Sequence, residues 1–347
     1  MGGCDVMAKP LVSVLIPCFN AERYVGAALE SVLAQTYAPI QVIVVDDGST
    51  DGSVGVIEPF RARGVTVIHQ ANAGQCAAAN RALTEAKGEY VKFFDADDLL
   101  HPEVIARQVR AIAGRGEAIA FGEWARFRDD PAEAVFAQLP MYRDAEPVEW
   151  LVSEWTGGAP MTQCAMFLIP RAILLKTGGW DERLSLINDF EFFARILSAV
   201  RELVFAPHAR LYYRSVPGSL SAQVSPIAAA SAALSLRLGT DHLLAAEDSP
   251  RTRRAAANML QTFAYTFYPA FADLRRELAE LIDKLGGSDL PPDGPPGFHK
   301  LRRWIGWRSA RRVQILANHF GLNRAARRKW AILDRMLILQ RKFRLGS

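Results

Sequence analysis

Asp95, Asp97 and Asp98 place three carboxylates within four positions at the end of the strand-forming run Tyr90-Val-Lys-Phe-Phe. Like charges so close repel one another unless something positive lies among them. Two acids two apart on an extended chain can turn toward one hard, oxygen-seeking cation, so a divalent ion is the simplest answer, Mn²⁺ or Mg²⁺ if the ligand is a nucleotide-sugar diphosphate. The plain alternative is a surface turn or a helix cap. A second acidic stretch, Asp46-Asp-Gly-Ser-Thr-Asp, follows another apolar run. Asp47 there can accept a hydrogen bond from a nucleobase imide, or close a turn beside Gly48 and cap the next helix. Asp189 stands at the start of a helical pattern, where main-chain amides help hold a carboxylate ionised. Glu191, two positions on, would face elsewhere, and Arg195 can bind phosphate or pair with an acid.

The elements that must position these groups alternate. Leu11-Val-Ser-Val-Leu-Ile-Pro, Ile40-Gln-Val-Ile-Val-Val, Val65-Thr-Val-Ile and the run before Asp95 are strands. Between them lie a helix from Ala21 capped by Asn20, with the stripe Val25, Ala28, Leu29, Val32 and Leu33, a helix after the Asp46 turn, and another over 75–86. Such alternation predicts an α/β fold with helices against a mostly parallel sheet. The loops 17–20, 46–49, 70–74 and 95–98 then all fall at strand C-terminal ends, where open α/β sheets bind ligands. Further on, 102–113 reads as a helix, 119–127 as a strand, 128–149 as a flexible loop and 164–169 as a strand. The turn 178–182 leads into the helix of Asp189, and 203–205 and 211–213 are short extended pieces. Trp155 to Gln163 and Trp180 separate the first loops from Asp189, and an indole face suits a sugar ring as well as a core.

From 227 the pattern becomes helical and alanine-rich, with helices expected over 227–246, 251–267 and 270–285, a Pro/Gly-rich link over 286–299, and two basic helices over 300–319 and 323–343. From Phe298 onward fourteen Lys or Arg face the single acid Asp334, leaving about −9 on the rest of a chain whose net charge is +4. Tryptophans and leucines at helical spacing with cationic flanks fit an anionic membrane surface or packing on the body, and nucleic acid is not the expected partner. No apolar run is long enough to span a bilayer, and no signal peptide is expected. Four cysteines without metal-site spacing point to a reducing compartment, hence a cytoplasmic protein or one on the cytoplasmic face of the membrane. Neither G-x-G-x-x-G nor a Walker A loop is present, which argues against dinucleotide dehydrogenases and P-loop ATPases.

Val12-Ser-Val-Leu-Ile-Pro-Cys-Phe-Asn, Val45-Asp-Asp-Gly-Ser-Thr-Asp-Gly, Asn72-Ala-Gly-Gln, Tyr90 through Asp98, and Gly178-Gly-Trp-Asp-Glu followed by Asn188-Asp189 occur in that order over residues 10 to 220. In this the chain resembles the inverting family 2 glycosyltransferases of GT-A fold. The resemblance implies a catalytic domain over 10–222, with a donor half to about 100 and an acceptor half beyond, and a helical C-terminal extension. It implies a nucleotide-sugar donor contacted by Pro17, Phe19, Asn20, Glu22, Asp47, Asn80, Asp95 and Ala96, a metal ion on Asp97 and Asp95, and Asp189 as the base that activates an acceptor hydroxyl. Trp180, Gln163 and Arg195 fall on the acceptor side, for a glycan, lipid-linked or protein-linked acceptor. Ala79-Asn80-Arg81 replaces the Arg-Asn frequent in the family, and no histidine follows Tyr213-Arg214, with His208 several residues early for a metal ligand. The competing reading is a non-catalytic nucleotide-sugar or carbohydrate-binding module held at a membrane.

Overall fold

Four apolar runs rich in β-branched residues fold as the parallel half of one sheet, and the chain between them folds as helices that cover it. The computed structural model describes residues 9–158, 160–216, 225–294 and 296–319. In chain order it contains β1 (Val12–Cys18), α1 (Val25–Leu33), β2 (Ile40–Asp46), α2 (Ser53–Ile57), β3 (Thr66–His69), α3 (Gln75–Thr84), β4 (Tyr90–Phe93), β5 (Leu99–Leu100), α4 (Val104–Ile112), β6 (Ala118–Phe127), α5 (Pro147–Thr156), β7 (Phe167–Pro170), α6 (Arg171–Thr177), α7 (Asn188–Leu197), β8 (Glu202–Arg214), α8 (Pro226–Ala246), α9 (Pro250–Thr266), α10 (Ala272–Lys284) and α11 (Pro296–His319).

The sheet has eight strands in the order β3-β2-β1-β4-β7-β6-β8-β5. β1 lies between β2 and β4, parallel to both, and β3 extends β2 in the same sense. The side chains of the central strands β1 and β2 are buried on both faces, as a sheet covered by helices requires. The sense changes at β7, which runs antiparallel to β4 and β6. The loops after β1 to β4 therefore open on one edge, and the later strands and helices close the crevice from the other side.

Several elements differ from the sequence reading. α1 begins at Val25, not near Ala21, because the Asn20 side chain accepts from Thr50 N at 2.8 Å instead of capping a helix. The stretch 128–149 is not wholly irregular: Ala145 bridges Leu203, and Glu146 caps α5 by accepting from Val148 N and Glu149 N. Residues 164–166 form a 3₁₀ turn and extended structure starts only at Phe167. The two extended pieces around 203 and 211 are one strand, β8, interrupted where its pairing with β6 shifts between Phe121 and Glu123. Gly122 is needed there, because a Cβ would lie 2.0 Å from the Ala209 carbonyl oxygen.

α8 packs along α7, α9 on α8 and α5, and α10 on α9. The Pro/Gly-rich link is tied to α9, since Asn258 donates to Asp289 and the Tyr265 hydroxyl to Leu290 O. α11 begins inside that link and kinks at Gly306, and Trp307 meets Tyr265 and Tyr268 edge-on. The expected helix over 323–343 and the boundary at 222 lie outside the described residues.

Candidate active site

The crevice edge is built by loops that hold one another. The Asn20 amide donates to Ser49 Oγ, and Glu22 accepts from Gly52 N at 2.6 Å, joining the loop after β1 to the loop after β2. Gly48, at φ 72°, lets the second loop approach the third, because a Cβ would meet Asn72 N at 2.8 Å. Asp47 is buried and accepts from Gln70 Nε2 at 2.8 Å, Ala73 N at 2.9 Å and Gly74 N at 2.8 Å. It thus organises the loop before α3 and not the start of α2, where the Ser53 amide and hydroxyl donate to Asp51. Phe19 is about half exposed beside these loops, with Pro17 lining the crevice, and Ala96 is buried.

At the end of β4, Asp95, Asp97 and Asp98 each bring a carboxylate oxygen within 4.8 Å of the others. Their bonding separates their roles. Asp98 is fully buried and accepts from Arg214 N at 2.8 Å and Gln163 Nε2 at 3.0 Å, so both its oxygens are engaged. Asp95 accepts from Gln75 Nε2 at 3.0 Å and Gln163 Nε2 at 2.9 Å. No other side chain bonds the Asp97 carboxylate among the described residues, and the Arg214 guanidinium beside it donates to the Asp97 carbonyl instead. Burial, then Asp95, pushes the Asp97 carboxyl up to about 7. Asp98 and Asp95 are raised too, burial again coming first. Three crowded oxygen donors, none in a salt bridge among the described residues and with only the Arg214 guanidinium nearby to offset their charge, fit a hard divalent ion. His208 is not among them, since its ring lies 3.7 Å from Glu123 and its amide donates to the same carboxylate.

Asp189 stands in the first turn of α7. Its carboxylate accepts no hydrogen bond among the described residues. The helix amides do not hold it low as expected: burial, then the charge on Asp95, raises it well above the usual carboxylate range. One cavity is lined by Pro17 and Gln75 from the donor-side loops, by Asp95, and by Trp180 and Asn188 next to Asp189. The loop before α7 is held by α8: Ser231 Oγ accepts from Ser185 N and Leu186 N, and Ser235 Oγ donates to Ile187 O at 2.6 Å. Ile187 sits at φ 49°, a left-handed conformation costly for a β-branched residue, so this loop is strained next to the candidate base.

Other sequence candidates are placed in structural bonds. Asn80 pairs with the main chain of Trp180 through both its amide groups and reaches Glu182. Trp180 is buried and stacks on Phe192 at 3.8 Å, so its ring belongs to the core even as it borders the crevice. Arg195 spends its five N–H groups on Glu191 and on the carbonyls of Thr177, Gly178 and Gly179, which leaves none for an acceptor. Burial alone would raise Glu191, but bonds from His242 and Arg195 reverse this and hold its carboxyl below the usual range. Gln163 lies on the carboxylates instead of standing free on the acceptor side. Gln75, Arg214, Ser231 and Ser235 escaped the sequence reading, because only the topology brings them to Asp95, Asp97, Asp98 and the loop of Asp189.

A mixed sheet whose parallel strands end at a carboxylate cluster, facing a helix that begins with an acid, is the architecture of a GT-A fold. The fold is shared with TarS of S. aureus solved in complex with UDP-GlcNAc, at a TM-score of 0.64 and 18% identity over 79% of this chain and 80% of that one. Residues 13–176, a little under half of the chain, match the model of glycosyl transferase family 2. Glycosyltransferase GlyG of Streptococcus pneumoniae is 33% identical over 129 residues, 36% of this chain and 43% of GlyG. TuaG of Bacillus subtilis, named a candidate glycosyltransferase of teichuronic acid biosynthesis, is 34% identical over 125 residues, 35% of this chain and 50% of TuaG. The matched stretch thus spans half or less of either relative.

Proposed function

We propose that the protein transfers a sugar, with inversion, from a nucleoside-diphosphate sugar to a hydroxyl of a glycan, lipid-linked or protein-linked acceptor. The observation that carries this reading is one cavity lined both by Asp95 and by Asn188 at the N-terminus of α7, with the neighbouring carboxylates of Asp97 and Asp189 bonded by no other side chain among the described residues. Asp97 and Asp95 would hold Mn²⁺ or Mg²⁺, which neutralises diphosphate charge and makes the nucleotide a better leaving group. Asp189 takes the proton of the acceptor hydroxyl as that oxygen bonds to the anomeric carbon. The bond from that carbon to the diphosphate oxygen breaks, and its electron pair leaves with the nucleotide. With a cation held there to offset the departing charge, no second protonated acid would be required. Pro17 and Phe19 offer an apolar wall to the base, with Asn20, Glu22 and Asp47 shaping the loops beneath it. TarS, which shares the fold, was solved with UDP-GlcNAc and with UDP, which favours a uridine nucleotide. A relative named for teichuronic acid favours an envelope polysaccharide as acceptor.

A panel of nucleotide sugars with Mn²⁺ or Mg²⁺, assayed for released nucleoside diphosphate, tests the reading. One donor is expected to be hydrolysed slowly without acceptor and faster with one. Binding without metal-dependent release, for every donor and acceptor offered, would instead mark a carbohydrate- or nucleotide-binding module.

The C-terminal region supports a partner surface for this enzyme. From 296 to 319 there is no acid, Trp304 is 89% exposed, and Ile305 and Leu316 are exposed beside Arg303, Arg308 and Arg312. Exposed indole and aliphatic groups among cations match an anionic bilayer surface, where each basic residue contributes about 1 kcal/mol. No described helix is long and apolar enough to cross a membrane. The chain is expected to sediment with phosphatidylglycerol vesicles, not with phosphatidylcholine, and to be released by high salt. Arg303→Glu with Arg308→Glu and Arg312→Glu should abolish sedimentation; equal retention on both vesicle types would sink the proposal.

A further inference from the structure

Lys92 is the one charged residue inside the apolar strand β4, and it is fully buried. Burying an ammonium is costly unless its donors are satisfied. Lys92 Nζ donates to Ala165 O at 2.6 Å, Gln108 Oε1 at 2.9 Å and Phe167 O at 3.3 Å. Gln108, also fully buried, donates from Nε2 to Met166 O at 2.6 Å. Three successive carbonyls of one short segment are therefore held by a single lysine and glutamine pair. The pairing of β4 with β7 covers only Tyr90 with Pro170 and Val91 with Ile169, so Lys92 takes over where that ladder ends.

The segment held in this way carries Gln163. Its side-chain carbonyl accepts from Ala165 N at 2.7 Å, which fixes its rotamer against the same turn. Its Nε2 then donates to Asp95 and to Asp98. Lys92 makes no ion pair with an acid among the described residues, so its influence on the cluster runs through geometry.

We propose that Lys92 is a positioning residue for the cation site: with Gln108 it locks the 163–167 turn, and the turn holds Gln163 where one amide gathers Asp95 and Asp98 and leaves Asp97 free. This rests on the reading of Asp95 and Asp97 as cation ligands. Supports behind metal ligands typically govern affinity by 10- to 100-fold. The test is direct titration of the full chain with Mn²⁺ alone, followed by electron paramagnetic resonance, which needs no turnover. Lys92→Met is expected to weaken Mn²⁺ binding by about tenfold, and Gln163→Ala by about as much. The double variant should bind no more weakly than Gln163→Ala alone, because both substitutions cut one chain of contacts. Wild-type Mn²⁺ affinity in Lys92→Met, or losses that multiply in the double variant, would overturn the proposal. Should Lys92→Met not fold, Gln108→Met loosens the same turn through Met166 and is read in the same way. A wild-type chain that binds no Mn²⁺ overturns the metal reading itself, which separates the two failures.

Discussion

Asp189→Asn is expected to lower sugar transfer by about 10²-fold or more while leaving nucleotide and Mn²⁺ binding unchanged, the loss typical of removing a general base. The amide has nearly the same shape as the carboxylate, and since no described group donates to that carboxylate, the substitution strands no partner. Thermal stability should therefore hold. The pH profile carries a second signature. Burial and the charge on Asp95 raise the Asp189 carboxyl, and only its ionised form can accept a proton, so the wild-type rate falls as pH drops through the raised value. In Asp189→Asn, assayed at saturating Mn²⁺ so that protonation of Asp97 does not limit the rate, that acid limb should vanish. Glu191→Gln is the control: Glu191 is bonded by Arg195 and His242, so its loss should lower stability and leave the limb in place. Near-normal transfer by Asp189→Asn would remove the base from the mechanism.

The parallel half of the fold was legible because its strands are short apolar runs closed by polar loops, a pattern in which local chemistry and tertiary role agree. Boundaries failed where a long-range bond replaced a local one. Asn20 looks like a helix cap, yet its side chain holds Thr50, and the helix starts five residues later. β8 looks like two pieces because His208 adopts φ 62° at the break in its pairing with β6. In the site, the three neighbouring aspartates were visible as a run, but which of them remains free was not. That is decided by Gln163 and Gln75, which lie 68 and 20 positions from Asp95 and reach it only through the sheet order. Lys92 was visible all along as a charge inside an apolar strand; its partners were not. The hold of Ser231 and Ser235 on the loop of Asp189 likewise ties the helical region to the site, although its alanine-rich sequence announces only helix.

Asp97→Asn is expected to reduce donor turnover by about 10²- to 10³-fold, on the scale of losing one electrostatic contact to the departing charge, and to weaken Mn²⁺ binding with it. Asp97 is the carboxylate that no other described side chain engages, so its loss subtracts from the cation site without freeing a buried donor. The proton competes with the metal for this group. With the carboxyl pushed up to about 7, first by burial and then by Asp95, much of it is protonated at pH 6 and must lose its proton for the cation to bind. Metal affinity should therefore rise with pH through about 7 and level off above it, and calorimetry at pH 6 in buffers of different ionisation enthalpy should detect proton release. Asp97→Asn should flatten that dependence. Asp98→Asn should act differently, because Arg214 N and Gln163 already occupy both Asp98 oxygens and an amide cannot accept both bonds: stability should fall, and metal affinity only as far as Gln163 is displaced. Equal pH dependence in Asp97→Asn and wild type would move the cation to another ligand and, with it, the place where the nucleotide departs.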